Sequence, residues 1–543
     1  MKKPSVDAWL LGAMILAVGL RGYWALTHAW AVENEGAEYC RLAENLLGGN
    51  GYVGVIGDQV QLNFPPLYPI LIAAFAVVLR NAELAGRVVA LLAGVGLVGG
   101  VYLVCRRIYG RRVALIGALI VALHPVFIAL SISVYSEGPY IALVILGLGW
   151  VLRTATDRRV ASGVVAGLLL GLAYLIRPEA LVLACALVVP AAALGLLWHE
   201  SRRAMAAGGA MLLATLVVAA PYVHFLWANT GQLRWEGKGG IAYAIGQRMN
   251  QGMSYLEASY GIDENLREEG VHLKTGREVL QSGAMQVTGA TSLSTVARYF
   301  LHSARRNLGG VLRTVANNRA FGSPLLFLLV LIGLFRTPWS KERIGAEIVL
   351  LTAFATSVLI LLVGQSRDFR HTLLLLALMT IWAAKGVDEL VEWANGTVSA
   401  VFPHGLGTWS VGLRSLVILA LSGIAFQTIG AVGEFSQASQ SSLRQAGLWL
   451  RDYAPGPKSI MGTGTTVAYY AGGTLRYLPY ADSAIALRYI DRISPNFVVL
   501  ESVNLRPYIE SWVKSGIPTA RARLIYSGGE GEDEVMIYEW QPS

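Results

Sequence analysis

The chain has 543 residues, of which 54% are hydrophobic and 15% charged, with a formal net charge of +9. Soluble domains carry roughly 25% charged residues, so the polar coat that would wrap a water-soluble particle of this size is missing. A soluble enzyme, a disordered chain and a disulfide-stapled secreted scaffold are therefore excluded.

The N-terminus, Met1-Lys-Lys-Pro followed by an apolar run from Ala8 to Leu26, lacks a small-residue cleavage site and reads as an uncleaved first span that doubles as the targeting signal. A spanning helix needs about 20 mostly apolar residues. Windows of that kind fall at 8–28, 86–105, 113–133, 138–152, 160–176, 180–198, 206–228, 321–335, 344–364, 370–384 and 411–430. The segment 65–80, PPLYPILIAAFAVVLR, is ambiguous. It opens with two prolines, and as a helix it reaches at most about 24 Å against a hydrocarbon core of about 30 Å.

Charge settles the ambiguity. If 65–80 does not span, one side of the membrane collects Lys2, Lys3, Arg106, Arg107, Arg111, Arg112, Arg153, Arg158, Arg159, Arg202, Arg203, Arg336, Lys341, Arg343 and Lys385. The short segments on the other side hold Arg41, Arg80, Arg87, Arg177, Arg367 and Arg370. Clustered basic residues mark the cytoplasmic side, so they read as topology signals, not as nucleic-acid contacts. The expectation is a polytopic α-helical membrane protein of about eleven transmembrane helices in the inner or plasma membrane, N-terminus inside, with 65–80 as a juxtamembrane helix on the outer surface.

Three outer regions follow from that topology: 29–85, 229–320, and everything after about 431. In the last, the apolar runs shrink to strand length at 459–464, 497–502, 523–528 and 535–540, with amphipathic helical patterns between them. This pattern predicts a small extracytoplasmic α/β domain over 431–543 beside a transmembrane module over 1–430. Its Gly462-Thr-Gly464 lacks the rest of a nucleotide-binding fingerprint.

Carboxylates beside a membrane are costly unless solvated or paired, which makes them functional candidates. The first outer loop holds Glu33, Glu35, Glu38 and Glu44. A solvated amphipathic helix accounts for Glu38 and Glu44, whereas Glu33 and Glu35 sit where the first span emerges. Glu137, in VYSEGPY, lies in a short turn between two apolar helices on the same side; the plain alternative is an acid favoured by a helix N-terminus. Arg177, Arg367, Arg370 and His371 occupy turns on that side as well. Arginine there suits bidentate phosphate binding, with headgroup anchoring as the alternative. In 298–313, four arginines share one helical arc, a pattern that a solvated face explains. His124, mid-span before Pro125, reads as a packed or kink-associated histidine. Cys40, Cys105 and Cys185 are too scattered for a disulfide framework or thiolate metal site.

Several motifs in order then resemble a known family. The run YCRLAENLLGGNGY beginning at Tyr39, with an acid just ahead of it, is followed by FPPLYP, CRRIYGRRVALIGALIVALHPVFI, YSEGPYIAL and GLAYLIRPEAL. This series resembles the GT-C fold glycosyltransferases that use polyprenyl-phosphate sugars, which include the protein O-mannosyltransferases and the lipid A aminoarabinose transferases. The likeness is good over about residues 5–200, loose through 321–390 and faint after 440.

The resemblance implies a catalytic acid at Glu35, with Gly36 where relatives commonly carry Glu. A register one step earlier would put Asn34 there, but an amide cannot serve as a base. It also implies a second acid at Glu137; Glu33 stays a secondary acid on its position beside the first span alone. Asn63 and Phe64 stand where some relatives carry an acid and a lysine that contacts the donor. Arg177, Arg367, Arg370 and His371 become candidates for the donor phosphate. The implied partners are a polyprenyl-phosphate-linked sugar, a protein, lipid or glycan acceptor, and membrane lipids. No cofactor is assigned; a divalent metal on Glu35 and Glu137 stays an open alternative without ligand spacing to support it. The competing classes are a transporter or lipid flippase, against which the acids lie at the membrane edge and not near its midplane, and a non-catalytic receptor.

The topology has a direct check. Cysteines introduced at Gly57 and Asn81 are expected to label from the same side of the membrane; labelling from opposite sides would make 65–80 a span and invert every later loop.

Overall fold

The computed structural model describes residues 7–27, 31–32, 34–57, 59–157, 159–197, 201–274, 293–317, 324–336, 338–363, 369–401, 440–502, 506–529 and 534–541. Glu33, Arg367 and the candidate span 411–430 lie outside the described residues.

The first part of the chain is helical: α1 (Ala8–Thr27), α2 (Asn34–Leu47), α3 (Leu67–Leu79), α4 (Ala82–Ile108), α5 (Arg111–Leu123), α6 (Pro125–Leu130), α7 (Glu137–Asp157), α8 (Val160–Tyr174), α9 (Glu179–Leu197) and α10 (Ser201–Thr230). Helices Leu293–Asn317, Pro324–Phe335, Lys341–Val363 and Leu373–Val401 follow further on. Each of the ten candidate spans that fall on described residues contains a helix. Among the described residues, α1, α4, the stretch Arg202–Thr230 of α10 and Lys341–Val363 are long and apolar enough to cross a bilayer. The chain is thus a predominantly helical membrane protein. Helix α3 has 13 residues, about 20 Å of helix, and the turn at Arg80 and Asn81 separates it from α4.

The segment 113–133, expected as one span, is instead broken at His124. Pro125 has no N–H, so the carbonyl four residues earlier loses its helical donor. Arg21, fully buried in α1, repairs the break: its guanidinium donates to Val121 O and Ala122 O, each at 3.2 Å, and to Ser131 Oγ at 3.0 Å. A cation inside an apolar helix is held there by a proline in another one. His124 itself is buried with its ring 5.1 Å from that of Phe127.

Close approach between helices rests on glycine. On α8, Gly163, Gly167 and Gly171 recur every four residues and so share one face. A Cβ at Gly163 would lie 2.1 Å from Ala207 O, and one at Gly167 2.1 Å from Met211 O, both on α10. The Thr215 hydroxyl donates across this seam to Gly167 O at 3.2 Å. Small residues of this kind let membrane helices pack backbone to backbone.

Residues 440–541 form an α/β unit around a five-stranded sheet of order β2-β1-β3-β5-β4. The strands are β1 (Ser459–Gly462), β2 (Thr474–Tyr477), β3 (Phe497–Glu501), β4 (Ala522–Gly528) and β5 (Val535–Trp540). β1 pairs in parallel with β2 and β3, while β5 is antiparallel to β3 and β4. The open edge at β2 is covered by the first loop, for Leu475 N donates to Val55 O at 2.7 Å and Gly57 N to Leu475 O at 3.0 Å. Covering an edge in this way removes unpaired ladder groups and ties 440–541 to the segment that carries α2.

The glycine seam predicts a clear contrast. Gly167→Ala should destabilise the purified protein by about 1–3 kcal/mol through overpacking, read as a lower melting temperature in detergent. Gly96→Ala, where a Cβ meets nothing within 4 Å, should not.

Candidate active site

Four segments converge at one end of the helical bundle. Glu35 opens α2, Glu137 opens α7, and Arg177 lies in the turn between α8 and α9. Arg370 and His371 lie in the 3-10 turn Phe369–Thr372. A Cβ at Gly36 would meet Val134 O at 2.6 Å and the Val32 side chain at 2.9 Å. Glycine at this position is thus what lets α2 settle onto the segment leading into Glu137.

Arg177 is the hub. Its Nη1 donates to Glu137 Oε1 at 2.8 Å and to Ser136 Oγ at 3.3 Å, and its Nη2 lies 3.3 Å from Glu179 Oε1. The pair is nearly dry, with side-chain exposures of 11% for Arg177 and 3% for Glu137. The second Glu137 oxygen, Oε2, is buried and has no hydrogen-bond partner among the described residues, a costly condition for a carboxylate.

Glu35 takes the opposite condition. Its side chain is 20% exposed, and Oε1 accepts from Lys238 Nζ at 2.7 Å. Burial pushes its carboxyl up, but the positive charges of Lys238, Arg370 and Arg177 outweigh that, and it is held well below the usual carboxylate range. Glu35 and Glu137 both act on the His371 imidazole, as do Arg177 and Lys238. Both glutamates act on the Tyr39 hydroxyl as well, which burial first and Glu35 second lift well above its ordinary value. Glu35, Glu137, Arg177, Arg370 and His371 therefore share one electrostatic neighbourhood. The Arg370 guanidinium sits 4.5 Å over the Tyr135 ring. Glu33 and Arg367 lie outside the described residues.

Two of the residues that build this centre are not legible in the sequence. Lys238 comes from the segment after α10, where Gly237 presses against the first loop: a Cβ there would lie 1.8 Å from Leu62 O. Tyr222 OH donates to the same Leu62 O at 3.1 Å. The Lys238 ammonium lies 5.4 Å over the Phe64 ring, so this cation reaches the first loop from a distant part of the chain. Thr465, from the loop after β1, is buried and donates its hydroxyl to Asn34 O at 2.8 Å. Asn34 has φ of +26°, a region that asparagine tolerates better than most residues. The α/β unit thus pins the residue before Glu35.

Glu38 departs from expectation. It is not a solvated helix-face residue but is 1% exposed. It accepts from Val55 N at 2.6 Å and Ile56 N at 3.0 Å, tying α2 to the covered sheet edge. Burial, working against those two amide donors, lifts its carboxyl to about 7. Glu44 does lie on the surface, bonded to Tyr469 OH at 2.9 Å and paired with Arg41 at 3.3 Å. For metal binding, no group of three His, Cys, Asp or Glu side chains converges among the described residues. Glu35 and Glu137 each already face a cation.

Residues 63–227 match the sequence profile of the dolichyl-phosphate-mannose-protein mannosyltransferase family. No protein of curated function matches the chain in sequence. In three dimensions it is similar to the oligosaccharyltransferase AglB of Archaeoglobus fulgidus, solved with an inhibitory peptide and a dolichol-phosphate. That match has 15% identity and a TM-score of 0.59, over 91% of this chain and 69% of that one. It is also similar to ArnT of Cupriavidus metallidurans, solved with undecaprenyl phosphate, with 11% identity and a TM-score of 0.59 over 98% of each chain.

The buried ion pair generates a prediction. Arg177→Gln leaves Glu137 charged and uncompensated, which should cost on the order of 3–5 kcal/mol and show as a lower melting temperature in detergent. Adding Glu137→Gln should recover much of the loss; equal instability of single and double variants would mean that the pair is not what Arg177 stabilises.

In backbone architecture the chain carries the fold of the GT-C glycosyltransferases.

Proposed function

We propose that this protein is an integral-membrane glycosyltransferase that moves a sugar from a polyprenyl-phosphate donor to an acceptor hydroxyl on the extracytoplasmic face. The observation that carries the reading is a partly exposed carboxylate, Glu35, surrounded by Lys238, Arg177 and Arg370 at one end of the bundle. Nucleotide sugars do not cross a bilayer, so a transferase facing outward takes its sugar from a lipid. The leaving group is then a phosphate anion, and an enzyme for it needs one carboxylate base to take a proton and several cations to receive charge.

In the reaction, the acceptor oxygen attacks the anomeric carbon while the carbon–oxygen bond to the phosphate breaks and its electron pair passes to the phosphate. The acceptor proton goes to Glu35. Lys238, Arg370 and Arg177 face the developing charge, where fixed cations stabilise the transition state, while burial holds His371 below its ordinary value, so it serves as a neutral hydrogen-bond partner. Glu137 holds Arg177 in position. Lys238, Arg370 and Arg177 hold the Glu35 carboxylate ionised. A donor phosphate among those cations would compensate part of their charge and make the carboxylate more basic. A single displacement of this kind inverts the anomeric centre.

Full-length protein supplied with polyprenyl-phosphate sugars should release polyprenyl phosphate. Glu35→Gln should lower that rate by about 10²–10⁴-fold, the usual contribution of a positioned proton acceptor. Undiminished release by Glu35→Gln, a sugar trapped covalently on Glu35, or solute movement without sugar transfer would each overturn the reading.

A further inference from the structure

Away from the Glu35 centre, at the other end of α2, lies a cavity of about 870 Å3 bounded by the ends of α2 and α3, the start of α4 and the helix Gln440–Tyr453. Its wall on α2 runs from Arg41 to Leu47, about 9 to 18 Å along the helix from Glu35, and Glu35, Glu137, Arg177, Lys238, Arg370 and His371 do not line it. Four arginines line it: Arg41, Arg80, Arg444 and Arg451.

The two acids on its wall are already engaged. Glu44 pairs with Arg41 and accepts from Tyr469 OH at 2.9 Å, while Glu83 pairs with Arg87 at 2.8 Å and accepts from Tyr470 OH at 3.0 Å. Among the described residues, no carboxylate lies within ion-pair distance of Arg80 or Arg444. Arg444 lies 5.4 Å over the Tyr470 ring, and Arg80 is exposed at the end of α3.

Beside these cations runs an apolar strip. Leu47 is 49% exposed, Val77 57% and Val78 80%. The cavity also sits at the Asn81 end of α4, one of the helices long and apolar enough to cross a bilayer, so it lies where hydrocarbon gives way to water. Uncompensated guanidinium groups at that level, next to an exposed aliphatic strip, match an anionic head joined to a hydrocarbon tail. Guanidinium groups bind phosphate oxygens bidentately, and an aqueous anion would leave the strip uncovered.

We propose that this cavity is a binding site for an anionic phospholipid of the surrounding leaflet, with its phosphate on Arg80 and Arg444 and an acyl chain along α3. The site is independent of the transfer reaction. Occupied, it would anchor α2 and the α/β unit to the membrane at the end remote from Glu35.

Full-length protein in uncharged detergent is titrated with dioctanoyl phosphatidylglycerol, dioctanoylglycerol and inorganic phosphate, and occupancy is read by native mass spectrometry. The phosphatidylglycerol should bind, and Arg80→Asn with Arg444→Gln should weaken it by about tenfold or more, as loss of charge-assisted contacts requires. Arg80→Asn alone, at φ of +56°, keeps a residue suited to that backbone and should lose part of the affinity at an unchanged melting temperature. Glu35→Gln should bind the lipid normally even where transfer is lost, so failure of this site and failure of the transferase reading are distinguishable. Equal affinity in both arginine variants, equal competition by phosphate alone, or equal binding of the diacylglycerol would overturn the proposal.

Discussion

The site depends on Arg177. Its guanidinium bridges the starts of α7 and α9 through Glu137 and Glu179, and its charge reaches Glu35 on α2. A carboxylate as dry as Glu137 is tolerable only with a cation against it, and a cation as buried as Arg177 needs more than one acceptor. Each group makes the other's burial possible, and together they draw two helix ends towards the first loop.

The surrounding architecture serves this convergence by letting backbones come close. Gly36 admits α2 to the segment before Glu137, and Gly237 admits the Lys238 segment to Leu62. In each case even one methyl group would collide with a carbonyl oxygen. Such contacts are rigid because a backbone atom, unlike a side-chain end, cannot rotate aside. Arg21 solves a related problem inside the bundle, where its donors replace those lost at Pro125.

The α/β unit takes part in the same arrangement. It receives residues 55–57 along its β2 edge, and the Val55 and Ile56 amides of that segment hold Glu38 of α2; it also bonds Glu44 of α2 through Tyr469 OH and fixes Asn34 through Thr465. The acid at the start of α2 is therefore held from both sides, by the bundle below and the sheet beside it. A carboxylate carried on a helix anchored in this way is held more firmly than one on a free loop would be.

Much of this was legible in the residues. Apolar runs and flanking arginines placed the helices, because hydrocarbon admits only long apolar segments and the signal accumulates over some twenty positions. Four of the five strands stood out as short β-branched runs; β2, four residues reading TLRY, is too short and mixed to do so. Glu35, Glu137, Arg177, Arg370 and His371 stood out in the sequence because each is a polar or charged residue beside an apolar run. Lys238 and Thr465 were not, for a lysine among glycines and a threonine in a loop carry no local pattern. The burial of Glu38 was equally hidden, since its amphipathic helix looks the same whether its polar side meets water or two backbone amides. Local composition reports what a segment must do with its own apolar surface. Which distant groups meet there is set by long-range packing, and so appears only when the chain is folded.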